Sequence, residues 1–143
     1  MTSAGTVPEQ VVVYTDGGAR GNPGPAALGA SVQTLDGDEL DAVGEYIGEA
    51  TNNIAEYSAV IVGLRRAAEL GARRVVLRSD SELLVKQLNG VYKIRKPHLQ
   101  RLALGVREAA RAFEEVRFEH VRRESNARAD ELVNIALDEA VAR

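Results

Sequence analysis

A single change of hydrophobic period constrains this chain more than any other feature. Up to residue 47 the apolar residues fall in short β-type runs. Over residues 53–70 they recur at helical spacing, with Ile54, Tyr57, Ile61, Leu64 and Ala68 on one stripe. A β-type run then returns as "RRVVLRSD". A long helix inserted between strands is the usual connection of parallel neighbours, so the chain reads as α/β. The first strand, Val11-Val12-Val13, leads through Tyr14 and Thr15 to Asp16. Residues 27–35 and 39–47 follow as two strands around the turn Asp36-Gly37-Asp38. Gly71 stops the long helix, and the fourth strand ends at Asp80. Helix signals cover residues 81–88 and 97–113, "VRFEHV" alternates as a fifth strand over 116–121, and a last helix spans 125–140. A length of 143 residues suits one domain. Residues 1–9 are expected to be a loose tail and 10–143 the folded unit.

Three strands before the helix form an antiparallel meander. The helix then delivers the fourth strand parallel to the first, on its other side. The junction between first and fourth strands is a topological switch point, where open α/β sheets place their sites. Asp16 and Asp80 end those two strands. After Asp16 comes "GGARGNPGPA", in which Gly17, Gly18, Gly21 and Gly24 are expected to interrupt regular structure. A phosphate loop is rejected, because the segment lacks the lysine-serine/threonine ending and leads into a strand rather than a helix.

Each acidic candidate also has a plain structural role open to it. Asp16 could be a turn aspartate, Glu56 could close a capping box with Asn53, and Asp80 could cap the helix that follows it. Asp130 could be a surface aspartate beside an apolar stripe. Glu56 shares its helix face with Val60, Gly63 and Ala67, so its carboxylate is partly desolvated and needs a compensating partner. The stretch "YKIRKPHLQR" carries Lys93, Arg95, Lys96, His98 and Arg101, which could grip a phosphate backbone or form a solvated loop. Arg122 and Arg123, just before the last helix, could serve a phosphate, whereas His120 reads as a strand residue.

Four stretches together, "YTDGGARGNPGPA", "TNNIAEY", "LRSDSELLVKQLNG" and "HVRRESNARADELVN", make the chain resemble the type 1 ribonuclease H family from about residue 10 onward. The short "HVxRExNxxAD" form resembles its archaeal-like branch, which lacks the basic protrusion. The resemblance implies a ribonuclease H-like fold: a five-stranded mixed sheet in the order 3-2-1-4-5 with helices on both faces. It also implies that Asp16, Glu56, Asp80 and Asp130 form a four-carboxylate active site holding two Mg²⁺ ions, with Mn²⁺ as a substitute. Asp16 would bridge both ions, Asp130 would complete the first, and Glu56 and Asp80 the second. Gly17, Gly18, Asn52 and Asn53 match positions that sense the 2′-hydroxyl, and Thr51 matches a residue that grips a DNA-strand phosphate. Two residues before Thr51, where the family often has a basic residue, this chain has Glu49. The longer enzymes carry a mobile histidine before the last helix. Here Arg122 or Arg123 is assigned an assisting role instead, and Lys93, Arg95 and Lys96 are expected to replace part of the protrusion's grip on the hybrid.

The implied activity is endonucleolytic hydrolysis of the RNA strand of RNA–DNA hybrids, leaving 5′-phosphate and 3′-hydroxyl ends. Carboxylates without histidine suit Mg²⁺, and two ions about 3.5–4 Å apart can activate water and stabilise the leaving oxygen. The alternatives are a non-catalytic RNA- or hybrid-binding domain, or another metal nuclease of the superfamily such as a junction resolvase. Composition fits these readings. The absence of cysteine excludes disulfides, thiol catalysis and cysteine-ligated zinc, and agrees with a cytoplasmic setting. Only two histidines argue against a histidine-rich metal site. A net charge of −3 gives no global attraction to nucleic acid but permits a local basic surface. No apolar run is long enough to span a membrane, and the N-terminus lacks signal-peptide features. The expected partner is the hybrid substrate alone, bound by a monomer with no obligate protein partner.

Overall fold

The computed structural model describes residues 8–142, so the tail expected over residues 1–9 lies almost wholly outside the described residues. Strands β1 (Gln10–Ala19), β2 (Gly24–Gln33) and β3 (Glu39–Ala50) form the meander, and α1 (Asn52–Leu70) follows. Then come β4 (Arg74–Ser79), α2 (Glu82–Leu88), α3 (Pro97–Ala110), β5 (Glu115–His120) and α4 (Ala127–Val141). The sheet order is β3-β2-β1-β4-β5, as expected. β1 pairs antiparallel with β2 and parallel with β4, and β4 pairs parallel with β5.

Helices cover both faces. Val11 and Val13 of β1, Val32 of β2 and Val75 and Leu77 of β4 pack with Tyr57, Val60 and Leu64 of α1 and Leu99 and Val106 of α3. Burying each such aliphatic side chain is worth about 1.5–3 kcal/mol, so this layer dominates the core. On the other face, Val133, Ala136 and Leu137 of α4 pack with Ala27 of β2. Gly29 allows that approach, since a Cβ there would lie 2.5 Å from the carbonyl oxygen of Ala129.

The element boundaries depart from expectation where glycine and capping residues act. Gly17 and Gly18 do not interrupt β1; they pair with Leu28 and Ala27 of β2. Irregular backbone is confined to residues 20–23, with Gly21 at φ 90°. α1 is capped by Thr51, whose side chain accepts from the Ile54 N–H, so the capping box from Asn53 to Glu56 does not form. α2 is capped by Ser81 through the Leu84 N–H, which frees Asp80 from the capping role considered for it. A 3-10 turn over Arg123–Asn126 precedes α4, which starts at Ala127 rather than at residue 125.

Candidate active site

The sheet register places Asp16 and Asp80 side by side. Thr15 pairs with Ser79 at the end of the parallel β1–β4 ladder, and each carboxylate belongs to the next residue. Glu56 joins them because Gly17 has no side chain. A Cβ at Gly17 would strike the Ala55 backbone and lie 2.5 Å from the Glu56 nitrogen, so β1 meets α1 backbone to backbone. Asp130 arrives on the first turn of α4, where a carboxylate also complements the helix dipole.

One polar cleft of about 340 Å³ is lined by all four carboxylates, together with Gly17, Gly18, Asn52, Arg20, Arg123 and Asn134. Burial pushes the Asp16 carboxyl up to about 7, helped by the negative charges of Asp80 and Asp130 and by a hydrogen bond with Asp130; the Gly17 N–H opposes the rise. Burial and the charge of Asp80 push Glu56 up to about 7 as well, against a hydrogen bond from Ser81. Among the described residues no three Asp, Glu or His side chains are gathered closely enough to cage an ion as they stand. The donor set nonetheless suits a hard divalent cation. It is all oxygen, it lies in one cleft, and the crowded negative charge that raises two of its carboxyls is what such a cation relieves.

The other expected residues divide. The Asn52 Oδ1 accepts from the Ala19 N–H at 2.8 Å, which leaves its amide hydrogens for the cleft it lines. Thr51 spends its hydroxyl oxygen on the helix cap, and neither it nor Asn53 lines the cleft. Lys93 lines a separate cleft of about 330 Å³ with Tyr92, Ile94, Gln100 and Arg107. Arg95 and Lys96 are exposed beside it. Of the arginine pair, Arg123 reaches the carboxylate cleft and Arg122 does not.

Sequence reasoning missed three groups. Arg20 lines the cleft while bound to Asp138 at 2.7 Å and to the Asn134 Oδ1 at 3.4 Å. Its signal was a lone cation inside the glycine-rich loop that follows Asp16. Asn134 stands one helical turn after Asp130 and donates to the Asp130 carbonyl at 3.0 Å. Ser81, which caps α2 and holds the Glu56 carboxyl lower than burial alone would, was recoverable from its place directly after a strand-ending aspartate.

Residues 14–136 match the family model described as "Reverse transcriptase-like". Ribonuclease HI of Halobacterium salinarum is 45% identical over 131 residues, 92% of this chain and 66% of that protein. The crystal structure of that archaeon's RNase H1 superimposes with a TM-score of 0.88, covering 91% of this chain and 98% of the other. The bifunctional protein Rv2228c of Mycobacterium tuberculosis is 43% identical over 92% of this chain, which spans 36% of its length. LC11-RNase H1, solved in complex with an RNA/DNA hybrid, is 43% identical with a TM-score of 0.88, covering 92% of this chain and 99% of that one. The chain thus spans two thirds or less of these two full-length relatives, and nearly all of the solved domains.

Proposed function

The chain belongs to the ribonuclease H family, and from that premise we propose that it is a divalent-metal-dependent endonuclease hydrolysing the RNA strand of RNA–DNA hybrids to 5′-phosphate and 3′-hydroxyl ends. The observation that carries this is the convergence of Asp16, Glu56, Asp80 and Asp130 in one polar cleft at the switch point of the sheet. The solved complex of the similar LC11-RNase H1 with an RNA/DNA hybrid supports the substrate class.

Asp16, Glu56, Asp80 and Asp130 would hold two Mg²⁺ ions, or Mn²⁺ in their place, whose chemistry when bound is to activate water and neutralise charge on the phosphate. The protein's own contribution is to bring these carboxylates to one cleft and to bury Asp16 and Glu56 within it. Asp16 and Glu56, both near 7, exchange protons readily at neutral pH and must be ionised to serve as ligands. Gly17 and Gly18 bring bare backbone to the cleft wall, and the Asn52 amide offers a donor beside them. Both suit recognition of a 2′-hydroxyl, the group that separates RNA from DNA. Arg20 and Arg123 put cations on the rim, where the flanking phosphates of a strand would run. Lys93, Arg95 and Lys96 would hold the hybrid farther out. The proposed unit is a single catalytic domain from residue 10 onward, acting as a monomer in the cytoplasm.

Gel analysis of end-labelled hybrid, duplex RNA and duplex DNA with Mg²⁺ tests this. Cleavage of the RNA strand in hybrid alone is expected. Binding without cleavage would mark a non-catalytic module, and cleavage of branched DNA in preference would mark a resolvase.

A further inference from the structure

We propose that Asn126 is a positioning residue of the carboxylate cleft, fixing Asp130 against Asp16 by tying the start of α4 to the end of β1; this rests on the hydrolytic reading above. Asn126 is 1% exposed. Its Nδ2 donates to the carbonyl of Thr15 at 2.9 Å, across 111 positions of sequence. Thr15 immediately precedes Asp16, and Asp130 lies one helical turn beyond Asn126. One hydrogen bond therefore links the backbone beneath the two carboxylates, which line the same cleft.

The usual reason for an asparagine at this place does not apply. Asn126 occupies the N-cap position of α4, yet its side chain makes no capping bond. Its Oδ1 has no hydrogen-bond partner, although it is buried. Turning the amide over would set Oδ1 against the Thr15 carbonyl, two acceptors facing each other, so the donor must point at β1. A buried amide with an orphaned acceptor is a poor choice for stability alone. Its single strong bond is explained by what it aligns. Groups that orient metal-binding side chains from behind change affinity for the ion when removed, by roughly 10–100-fold.

Calorimetric titration of Mg²⁺ into the protein without substrate is the test, using wild type, Asn126→Ala and Asn126→Ser, with Asp16→Asn and the distant core variant Val106→Ala as references. Hybrid cleavage by the same proteins is measured for kcat and KM. Asn126→Ala is expected to weaken Mg²⁺ binding about tenfold or more and to lower kcat, with KM for hybrid changed less than about twofold. Asn126→Ser, which keeps a hydroxyl donor, should recover part of the affinity. Val106→Ala should lower the melting temperature without changing Mg²⁺ affinity. Wild-type Mg²⁺ affinity and kcat in folded Asn126→Ala would overturn the proposal, as would failure of both Asn126 variants to fold, since either result makes the residue one of stability alone. Should Asp16→Asn also bind Mg²⁺ normally, the metal site itself is misassigned; should it lose binding while Asn126→Ala does not, only the role of Asn126 fails.

Discussion

Asp16→Asn should stabilise the protein at alkaline pH while removing its activity. The Asp16 carboxyl is raised from 3.8 to about 7. Between those values the folded state holds a proton that the unfolded state has released, so stability falls as pH rises through the window, and the full loss is present above about 7. At 1.36 kcal/mol per pH unit, the loss is about 4 kcal/mol. Asparagine avoids the charge but still bears some cost of burying an amide, so a net gain of about 2–4 kcal/mol is expected at pH 8. For a chain of this size that is a rise in melting temperature of roughly 6–12 °C. At pH 5 the gain should be less than half as large, because most of the window lies above that pH. Thermal melts by circular dichroism in EDTA from pH 5 to 8.5 measure it. Millimolar Mg²⁺ should then narrow the gap, because binding to the native wild type adds stability that the variant lacks. A gain that does not change with pH, or a variant that melts below wild type at pH 8, would refute the burial of Asp16 among like charges.

Cleavage at subsaturating Mg²⁺ should rise with pH through about 7, with a log-rate slope above one, because both Asp16 and Glu56 must be ionised; a pH–rate profile reads it. Gly17→Ala should cost about 1–3 kcal/mol or more in chemical denaturation and displace Glu56, since its methyl group meets the Ala55 and Glu56 backbone. Asp80→Asn should leave the protein in EDTA at least as stable as wild type near neutral pH, because Ser81 rather than Asp80 caps α2; thermal melts check this. The combined change of Lys93, Arg95 and Lys96 to Ala should weaken hybrid binding and flatten its salt dependence by about 0.9 in the log–log slope for each phosphate no longer neutralised, and an unchanged slope would return the segment to a solvated loop.

The sheet order was legible because local patterns carry it, and with it the meeting of Asp16 and Asp80; Glu56 and Asp130 joined that pair only through the family resemblance, and all four line one cleft. Alternating and helical periods are written in adjacent residues, and the meander–helix–strand order leaves the β1–β4 junction as the place where Asp16 and Asp80 meet. Boundaries were less legible where backbone chemistry competes. Gly17 and Gly18 read as breakers, yet they are strand residues because the close approach of α1 excludes any side chain at Gly17. Asn53 and Asp80 read as caps, but Thr51 and Ser81, each one or two positions away, make the bonds. Least legible were contacts between distant segments. Nothing local to Arg20 announces Asp138, and nothing near Asn126 announces Thr15.

If the four carboxylates act as one hydrolytic centre, none is dispensable, and single-turnover cleavage of a labelled hybrid by Asp16→Asn, Glu56→Gln, Asp80→Asn and Asp130→Asn measures this. Each variant should lose at least about a thousandfold in rate while binding the hybrid within a few-fold of wild type, since charge stabilisation of the reacting phosphate typically accounts for losses of that order. Cleavage within tenfold of wild type in any one of them would contradict the claim and remove that residue from the centre.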